Sequence, residues 1–359
     1  MRNRVAFLIA LLLVTSTWAA DYKIALPGHQ YKFPRDHFDH SDYQTEWWYY
    51  TGNLKSPDGH RFGFELTFFR QGIARDTNPS PWHIHDFYMA HLALSDLTGR
   101  RFYHAERINR AGPGIAGVDE HSGLIWNGNW QAHLEDDRQQ LRGISEEFDL
   151  NLNLKTEKPP VIHGRNGISR KAEGVGHASH YISFTRLLTS GSIALNSTTY
   201  RVGGTSWMDH EFFTESMDPT ESGWDWLGLQ LDNNTELMLY GLRHKDGSVD
   251  PYSSGTYVDA RGQSSFLSAR DFTMAPTGET WTGPQSKATY PLRWHVSIPS
   301  RGLELEIATP LNSQELTSTI GPTYWEGAVD VTGPSSGPRG VGYLEMTGYA
   351  QPPSGNAAP

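Results

Sequence analysis

Apolar and polar residues alternate at every second position along much of the chain, the pattern of a strand that is buried on one face. The clearest run is 148–154, where one Phe and three Leu are separated by Asp and Asn. Similar runs occupy 62–69, 87–94, 181–188, 226–231, 236–242, 292–298, 303–307 and 343–349. Since helical periodicity is nearly absent, this pattern predicts an all-β protein built from antiparallel strands.

Chain length and turn spacing divide these strands between two units. A chain of 359 residues fits two domains of roughly 150 residues each, and many short strands with close turns are typical of sandwiches and barrels. Residues 47–54 and 324–333 are weakly similar, since in each an aromatic pair leads into a strand. We therefore predict N-terminal and C-terminal barrel domains at 21–217 and 218–350, followed by a disordered tail at 351–359.

The first twenty residues predict export. A basic start at Arg2 and Arg4 precedes the apolar run 5–14, and small residues at Ala19 and Ala20 provide a cleavage site. The run is shorter than the ~20 residues that cross a bilayer, so we expect a signal peptide at 1–20 and not an integral membrane protein. The predicted location is the periplasm or the exterior of the cell.

Composition excludes several classes of function. The chain has no Cys, which excludes disulfide scaffolds, iron–sulfur clusters and thiol nucleophiles. Its net charge of −10, without a run of Lys or Arg, argues against nucleic-acid binding. Signatures of serine hydrolases, nucleotide-binding loops and zinc proteases are absent. We predict no cofactor, so any chemistry depends on carboxylates, histidines and the aromatic rings of 12 Trp, 16 Tyr and 15 Phe.

The first candidate site is the segment 44–52. On a strand, Glu46, Trp48 and Tyr50 share one face, whereas Trp47 and Tyr49 share the other. A carboxylate beside indoles is poorly solvated, which raises its pKa towards that of a general acid. In the alternative interpretation Glu46 pairs with an Arg at a barrel mouth and the rings form core.

The second candidate site is the segment 203–212. Trp207, Asp209 and Glu211 fall on one strand face, and His210 falls on the other. Two carboxylates at this spacing have Cα atoms roughly 6.5–7 Å apart, which allows one to be neutral while the other is ionised. The alternative is an ion-pair network with a nearby Arg at the strand end.

The next motif predicts a barrel hairpin, with strands at 224–231 and 236–243. Trp224 and Trp226 share one face, and ordinary barrel core explains most of the pattern. Tyr240 and Arg243 carry the polar groups that are suited to contact a substrate or Asp209.

Histidines provide a further alternative. His83, His85 and His91 share a strand parity, and a His-X-His pair chelates a metal when a third ligand converges. Nothing else in the sequence supplies the remaining ligands. We therefore predict no metal site and expect His91 to be an interior, hydrogen-bonded group.

Taken in order, these motifs resemble the hydroxyneurosporene synthase family, the carotenoid 1,2-hydratases, together with their secreted AttH-like relatives. The resemblance covers about 45 to 349 and depends on 46–49 with Thr51 and Gly52, His91 before Leu-Ala-Leu-Ser, 206–212, 224–226, Tyr240 with Arg243, and 343–348. It implies two lipocalin-like β-barrel domains packed together, with an apolar ligand site at or between them.

The resemblance also implies roles for individual residues. Members of the family add water to an isoprenoid double bond or fold polyene chains into rings. By this resemblance Asp209 is the proton donor, and Glu211 or Glu46 is its partner or base. Trp207, Trp226 and Tyr240 would stabilise a cation by cation–π attraction. The other positions expected to line the ligand site are Trp47, Trp48, Tyr49, His91, His210, Trp224 and Arg243.

Three functions remain open. The first is binding of an apolar isoprenoid or lipid-like small molecule without turnover, in association with an ABC transporter. The second is an acid-catalysed hydratase, cyclase or hydrolase that uses Asp209. The third is a carbohydrate-active β-protein. A closed aromatic pocket around Asp209 would favour catalysis, an Arg-paired Asp209 at a barrel rim would favour a structural role, and an open groove would favour sugar.

Overall fold

The computed structural model describes residues 22–75, 80, 82–215, 218, 220–318, 321–335 and 337–350. The predicted signal peptide and C-terminal tail lie outside these residues. Within the described ranges the regular structure consists of strands and two short 3₁₀ helices, Arg35–His37 and Pro299–Arg301. No helix in those ranges has the length and apolarity to cross a bilayer.

The first sheet curls into a nearly closed antiparallel barrel. Its strands are β1 (Thr45–Lys55), β2 (Arg61–Gly72), β3 (Asp86–Asp96), β4 (Arg101–Arg110), β5 (Ala116–Asp119), β6 (Leu124–Asn127), β7 (Trp130–Glu135), β8 (Arg138–Ile144), β9 (Phe148–Thr156), β10 (Val161–Ile162), β11 (Ser169–Arg170), β12 (Ala178–Leu195) and β13 (Thr198–Phe213). Their order is β4-β3-β2-β1-β13-β12-β9-β8-β7-β6-β5, and the short β10 and β11 pair with β12. The first strand therefore pairs with the last.

The second sheet is a half-barrel. Its region contains β14 (Glu221–Leu231), β15 (Glu236–His244), β16 (Ser254–Val258), β17 (Ser264–Ser268), β18 (Thr273–Pro276), β19 (Thr280–Thr282), β20 (Thr289–Pro291), β21 (Arg293–Ile298), β22 (Leu303–Ala308), β23 (Glu315–Leu316), β24 (Tyr324–Thr332) and β25 (Arg339–Met346). The order is β17-β16-β15-β14-β25-β24-β22-β21-β18, with β23 beside β24, and β19 and β20 form a separate ladder.

Each sheet buries its own apolar face. Trp48, Phe64 and Leu150 belong to the core inside the first barrel, while Leu229 and Trp325 belong to the core of the second sheet. Alternation along a strand sends the next side chain to the opposite face. Those opposite faces pack on each other and bury a third cluster, which lies between the sheets.

The two sheets approach closely at Gly63 on β2. A Cβ atom added there would lie 2.8 Å from both the Ala328 Cβ and the Tyr343 Oη of the second sheet. Only glycine permits this approach, because Cβ contacts under 3.0 Å force one of the partners to move. The interface is therefore tightly packed at this point.

The prediction of an all-β protein with two lipocalin-like antiparallel units is confirmed. The first sheet ends at Phe213 and the second begins at Glu221; the division into two domains stays a prediction. One predicted strand ends earlier than expected, at Met346, since Gly348 adopts a positive φ of 73° that breaks the ladder. A long loop between β9 and β12, at 157–177, contains only the short strands β10 and β11.

Candidate functional site

The candidate site lies between the two sheets. Trp207, Asp209 and Glu211 of β13 face the second sheet, as their shared parity predicted. Trp226 and Tyr240 face them from β14 and β15, where they pair with each other across the ladder. All five side chains are buried. The structure therefore brings the second and third sequence motifs together at one interface.

Asp209 is buried with neutral partners alone. Its Oδ1 accepts hydrogen bonds from the Ser183 hydroxyl and, at 2.6 Å, from the Trp207 indole. Its Oδ2 accepts from the Tyr181 hydroxyl at 2.6 Å. Burial, helped by the Glu211 charge, raises the pKa of Asp209 to about 7 despite these three donors. A carboxyl in this state can hold and release a proton near neutral pH.

A buried histidine extends this network. His163 Nε2 lies 2.6 Å from the Ser183 hydroxyl, and its Nδ1 lies 2.8 Å from the Thr256 hydroxyl. Burial, with the Lys171 charge, lowers the pKa of His163 to about 3, so the ring is neutral. A neutral imidazole has two tautomers, and one of them lets Ser183 accept a proton from Asp209 while it donates to His163. The network thus accommodates Asp209 in either protonation state.

Glu211, unlike Asp209, has a cation beside it. Its Oε1 lies 3.1 Å from Lys171 Nζ and also accepts a hydrogen bond from Ser179. The Lys171 ammonium lies 4.0 Å from the centre of the Tyr240 ring, and it supplies the cation–π partner of that ring. Burial would lower the pKa of Lys171, but Glu211 and other anionic neighbours raise it above the usual value. Lys171 therefore keeps its positive charge in this buried position.

Indole and phenol rings surround Asp209. The Trp207 and Trp226 rings meet edge to face at 6.0 Å, and Tyr49 meets Trp226 in the same way at 5.4 Å. The Trp226 indole donates to the Tyr181 hydroxyl at 2.9 Å. Trp47 and Trp224 pack against the same cluster and are half-buried, so they lie nearer to solvent than Asp209.

Three further carboxyls lie in the interface, and the sequence analysis assigned none of them a role. Glu326 and Glu345 are paired across β24 and β25, and Glu65 on β2 faces them from the first barrel. Burial raises the pKa of Glu65 to about 7 and that of Glu345 to about 8. Burial and the charges of the other two raise the pKa of Glu326 well above its usual value. This group is therefore largely protonated near neutral pH.

His91 joins these carboxyls through a tyrosine. The Tyr324 hydroxyl donates to Glu65 Oε1 at 3.2 Å and lies 2.6 Å from His91 Nδ1. Burial lowers the pKa of His91 to about 4, which leaves a neutral ring, as expected for an interior group. Its Nε2 has no hydrogen-bond partner. His83 and His85 contact each other and form no ligand cluster with His91 within the described residues.

Glu46 lies on the opposite face of the first sheet, inside the barrel mouth. Its Oε2 is 3.1 Å from Arg70 Nε, and its Oε1 is 2.8 Å from His210 Nε2 and 2.9 Å from His40 Nδ1. Burial alone would raise the pKa of Glu46, but hydrogen bonds from His210 and His40 and the Arg70 charge hold it well below the usual range. This geometry matches the alternative in which Glu46 pairs with an Arg and the rings form core.

Trp48 and His210 share this inner face, where their rings stack at 4.9 Å. His40, Glu46 and His210 also form the one group of potential metal ligands found in the described part of the chain, with ligand atoms within 4.8 Å of one another. The Arg70 guanidinium already neutralises Glu46, so a cation there would meet a like charge. The cluster therefore fits a metal poorly.

Arg243 lies on the far face of the second sheet. It pairs with Asp225 at 2.5 Å and lies over the Tyr349 ring. The structure thus brings together nine of the predicted site residues: Trp47, Tyr49, His91, Trp207, Asp209, Glu211, Trp224, Trp226 and Tyr240. It places Glu46, Trp48, His210 and Arg243 elsewhere.

Sequence reasoning missed several interface residues that a simple signal could have found. Glu65, Glu326 and Glu345 each interrupt an otherwise apolar strand, with apolar or glycine neighbours on both sides. A charge at such a position must be buried or must face a partner sheet. His163 and Lys171 lie in the long loop, where no periodic pattern exists to reveal their direction.

Comparison with known proteins assigns a family. The family model described as AttH-like matches residues 24–349. The chain belongs to the AttH-like family. The structure of an AttH-assigned protein from Nitrosomonas europaea is 35% identical to this AttH-like chain, with a TM-score of 0.84 over 92% of this chain and 100% of that one. No curated protein sequence matches this AttH-like chain.

Two more distant structures share the AttH-like fold. Kievitone hydratase from Nectria haematococca is 13% identical, with a TM-score of 0.69 over 92% of this chain and 97% of that one. CghA, solved with Sch210972, is 11% identical, with a TM-score of 0.52 over 92% of this chain and 98% of that one. At these identities the likeness concerns the fold.

Proposed function

We propose that the site between the sheets binds an apolar, isoprenoid- or lipid-like ligand and adds water to its double bond, with Asp209 as the acid. The observation that carries the proposal is the environment of Asp209, which is 3% exposed among aromatic rings and neutral donors. An Asp209 paired with Arg at a rim would have supported a structural role. The fold shared with kievitone hydratase agrees with the proposal.

The reaction balances as the addition of one water to one alkene. The Asp209 carboxyl transfers its proton to one alkene carbon, which forms a C–H bond and leaves a tertiary cation on the other carbon. Water attacks that cation to form the C–O bond, and its extra proton returns to the Asp209 carboxylate. Ser183 and His163 hold Asp209 in position and supply the alternative hydrogen bonds that each protonation state requires.

Aromatic rings stabilise the cation in this proposal. Trp207 and Trp226 lie beside Asp209, and indole gives the strongest cation–π attraction among the aromatic side chains. The Tyr240 ring already carries the Lys171 ammonium at 4.0 Å, so that face contributes less than the family resemblance implies. The burial of these rings also favours an apolar ligand over a sugar, which an open groove would suit.

Isotope labelling tests the proposal. The protein is incubated with squalene, lycopene and farnesol in water enriched in oxygen-18, and products are examined by mass spectrometry for one added labelled oxygen. We expect Asp209→Asn to lower the rate by about 10²–10⁴-fold, the usual contribution of a general acid. The matched control is Asp149→Asn on an exposed position of β9, which should leave the rate unchanged.

Two outcomes would contradict the proposal. Equal rates for the wild type and Asp209→Asn would remove Asp209 as the acid. Tight binding of these isoprenoids without a labelled product from any of them would support the second candidate, a ligand-binding protein without turnover. That candidate rests on the same buried aromatic cluster between the sheets, which suits an apolar ligand whether or not the ligand reacts.

A further inference from the structure

The interface contains polar atoms that nothing in the described structure satisfies. Tyr49 Oη, Glu65 Oε2, His91 Nε2 and both carboxyl oxygens of Glu326 are buried and make no hydrogen bond. The exposed fractions of Glu65, His91 and Glu326 are 1, 2 and 2%. A buried polar atom without a partner loses its hydration with nothing to replace it, so five such atoms in one interface indicate a bound group that supplies their hydrogen bonds.

These atoms belong to one site because their side chains converge from the two sheets. Tyr324 links His91 to Glu65 by hydrogen bonds. The pKa of Glu326 responds to Glu65 and to the Tyr49 hydroxyl, although Tyr49 and Glu326 do not reach hydrogen-bond geometry. We define this group, Tyr49, Glu65, His91, Tyr324 and Glu326, as the polar subsite.

We infer that the polar subsite binds a hydroxyl group of the ligand, so that the ligand is an apolar alkene that carries a hydroxyl at its other end. This inference rests on the proposed function and names its substrate class more closely. A hydroxyl both donates and accepts, as the unpartnered atoms require. The Tyr49 hydroxyl and the O–H of a protonated carboxyl are donors, whereas the His91 Nε2 lone pair and the carboxyl C=O oxygens accept.

An ammonium group fits less well, although carboxyls surround the site. An ammonium donates only, so it would leave the Tyr49 O–H unsatisfied. A metal ion fits less well too, because the ligand atoms of Glu65, His91 and Glu326 are not among the groups that lie within 4.8 Å of one another in the described residues. The mixture of donors and acceptors therefore selects a neutral hydroxyl.

Register places the polar subsite at a definite distance from Asp209. Trp207, which precedes Asp209 on the same face, pairs with Thr51, and Thr51 pairs with Glu65. Two strand spacings of ~4.8 Å separate Trp207 from Glu65, and Asp209 lies two residues of ~3.4 Å each further along β13. The Cα atoms of Asp209 and Glu65 are therefore roughly 12 Å apart. A hydroxyl and a reacting double bond therefore lie about this distance apart in a bound ligand, as they do in a short prenyl alcohol.

Three probes with the same farnesyl chain test the inference. Farnesol carries the hydroxyl, farnesyl methyl ether keeps the oxygen but loses the donor, and farnesylamine carries an ammonium. Binding is measured by tryptophan fluorescence, because Trp207, Trp224 and Trp226 line the interface. We expect the wild type to bind farnesol about tenfold more tightly than the ether and more tightly than the amine.

Two variants at one position assign the preference to the subsite. Glu326→Leu removes the unpartnered oxygens and should reduce the preference for farnesol over the ether to less than about twofold. It should not impair folding, since it replaces an unsatisfied buried carboxyl by an apolar side chain. Glu326→Gln keeps both a donor and an acceptor and should retain the preference.

The outcomes separate the polar subsite from the proposed function. Equal binding of farnesol and its ether by the wild type would overturn the subsite and leave the proposed function standing. If the wild type binds farnesylamine most tightly and Glu326→Gln loses this preference, the polar subsite binds a cation and the inference of a hydroxyl is wrong. Failure of all three probes to bind would overturn the apolar ligand and the subsite together.

Discussion

Glu46 and Asp209 are two buried acids that lie on neighbouring strands but on opposite faces of one sheet. Inside the barrel, Glu46 contacts the Arg70 guanidinium and two histidines, and its pKa falls. Between the sheets, Asp209 contacts two hydroxyls and an indole, and its pKa rises to about 7. Burial is almost equal, so the partner groups decide whether a buried carboxyl carries charge. One face of this sheet is therefore suited to hold the barrel together and the other to transfer protons.

The largest expected effect is the loss of stability on removal of the Glu46 carboxylate from its ion pair. Glu46→Gln removes one of the two carboxylates that contact the buried Arg70 guanidinium in the described structure, which keeps only Asp86. We expect a loss of about 2–3 kcal/mol in the free energy of unfolding, measured in urea, because hydrogen bonds to charged groups are lost in a buried site. Asp209→Asn keeps a neutral group of the same shape and should change stability by less than about 1.5 kcal/mol. The control is Asp42→Asn in the exposed pair with Lys23, worth about 0–1 kcal/mol. Equal losses in the two buried variants would contradict the comparison.

The next effect concerns the packing that keeps water from Asp209. Gly63→Ala places a Cβ 2.8 Å from Ala328 and Tyr343, and we expect the free energy of unfolding to fall by about 1–3 kcal/mol. Gly241→Ala is the matched control, because a Cβ there meets nothing within 4 Å. If thermal denaturation shows the same change for both variants, the sheets are less tightly packed at Gly63 than the structure indicates.

A third prediction follows from the raised pKa values. Between pH 6.5 and 8 the unfolded carboxyls are ionised, whereas Asp209, Glu65 and Glu345 still hold protons in the folded protein. The folded state therefore binds more protons, and stability falls as pH rises, by up to ~1.4 kcal/mol per pH unit for each proton. Below about pH 7.5 the unfolded histidines are partly protonated, so the folded histidines with lowered pKa add a slope of opposite sign. That contribution is the same in the wild type and in Asp209→Asn, and it cancels when the two are compared.

Variants on the two faces of the first sheet test which carboxyls cause this dependence of stability on pH. Asp209→Asn should make it shallower between pH 6.5 and 7.5 in urea titrations at several pH values. Glu46 is itself ionised in both states there, and its own stabilisation is lost only in strong acid. Its removal also lowers the raised pKa of His40, so Glu46→Gln should alter the slope only through that histidine. A slope that changes in Glu46→Gln but not in Asp209→Asn would contradict this prediction, because the titrating groups would then lie inside the barrel and not between the sheets.

The smallest expected effect concerns a single hydrogen bond to Asp209. Ser183→Ala removes a donor that favours ionised Asp209, so the pKa of Asp209 should rise further, by about one unit. The alkaline limb of the pH–rate profile reports the change. Thr256→Val, which removes the partner of His163 instead, should shift that limb less. A shift to lower pH in Ser183→Ala would show that Ser183 stabilises the protonated carboxyl.

Much of the fold followed from two-residue alternation, which predicted the parity of β1, β13 and β14 and hence the shared face of Trp207, Asp209 and Glu211. Which faces meet was beyond that pattern, because parity separates two faces without saying which one is inside. The motif 44–52 was therefore treated as one site, although Glu46 and Tyr49 lie on opposite sides of the sheet. Glu65 and Glu326 were not predicted for the same reason. Their place in the site depends on contacts between the two sheets, and no local sequence pattern records such contacts.

The pairing of β1 with β13 has a consequence for how the protein folds. Thr45 meets Phe213 at one end of this ladder, so Tyr49 and Asp209 become neighbours only after nearly the whole first sheet has been synthesised. Long-range pairing of this kind slows folding because a large loop must close before any contact compensates for it. The interface acids are buried only when both sheets are in place, so their raised pKa values require the whole chain to be folded.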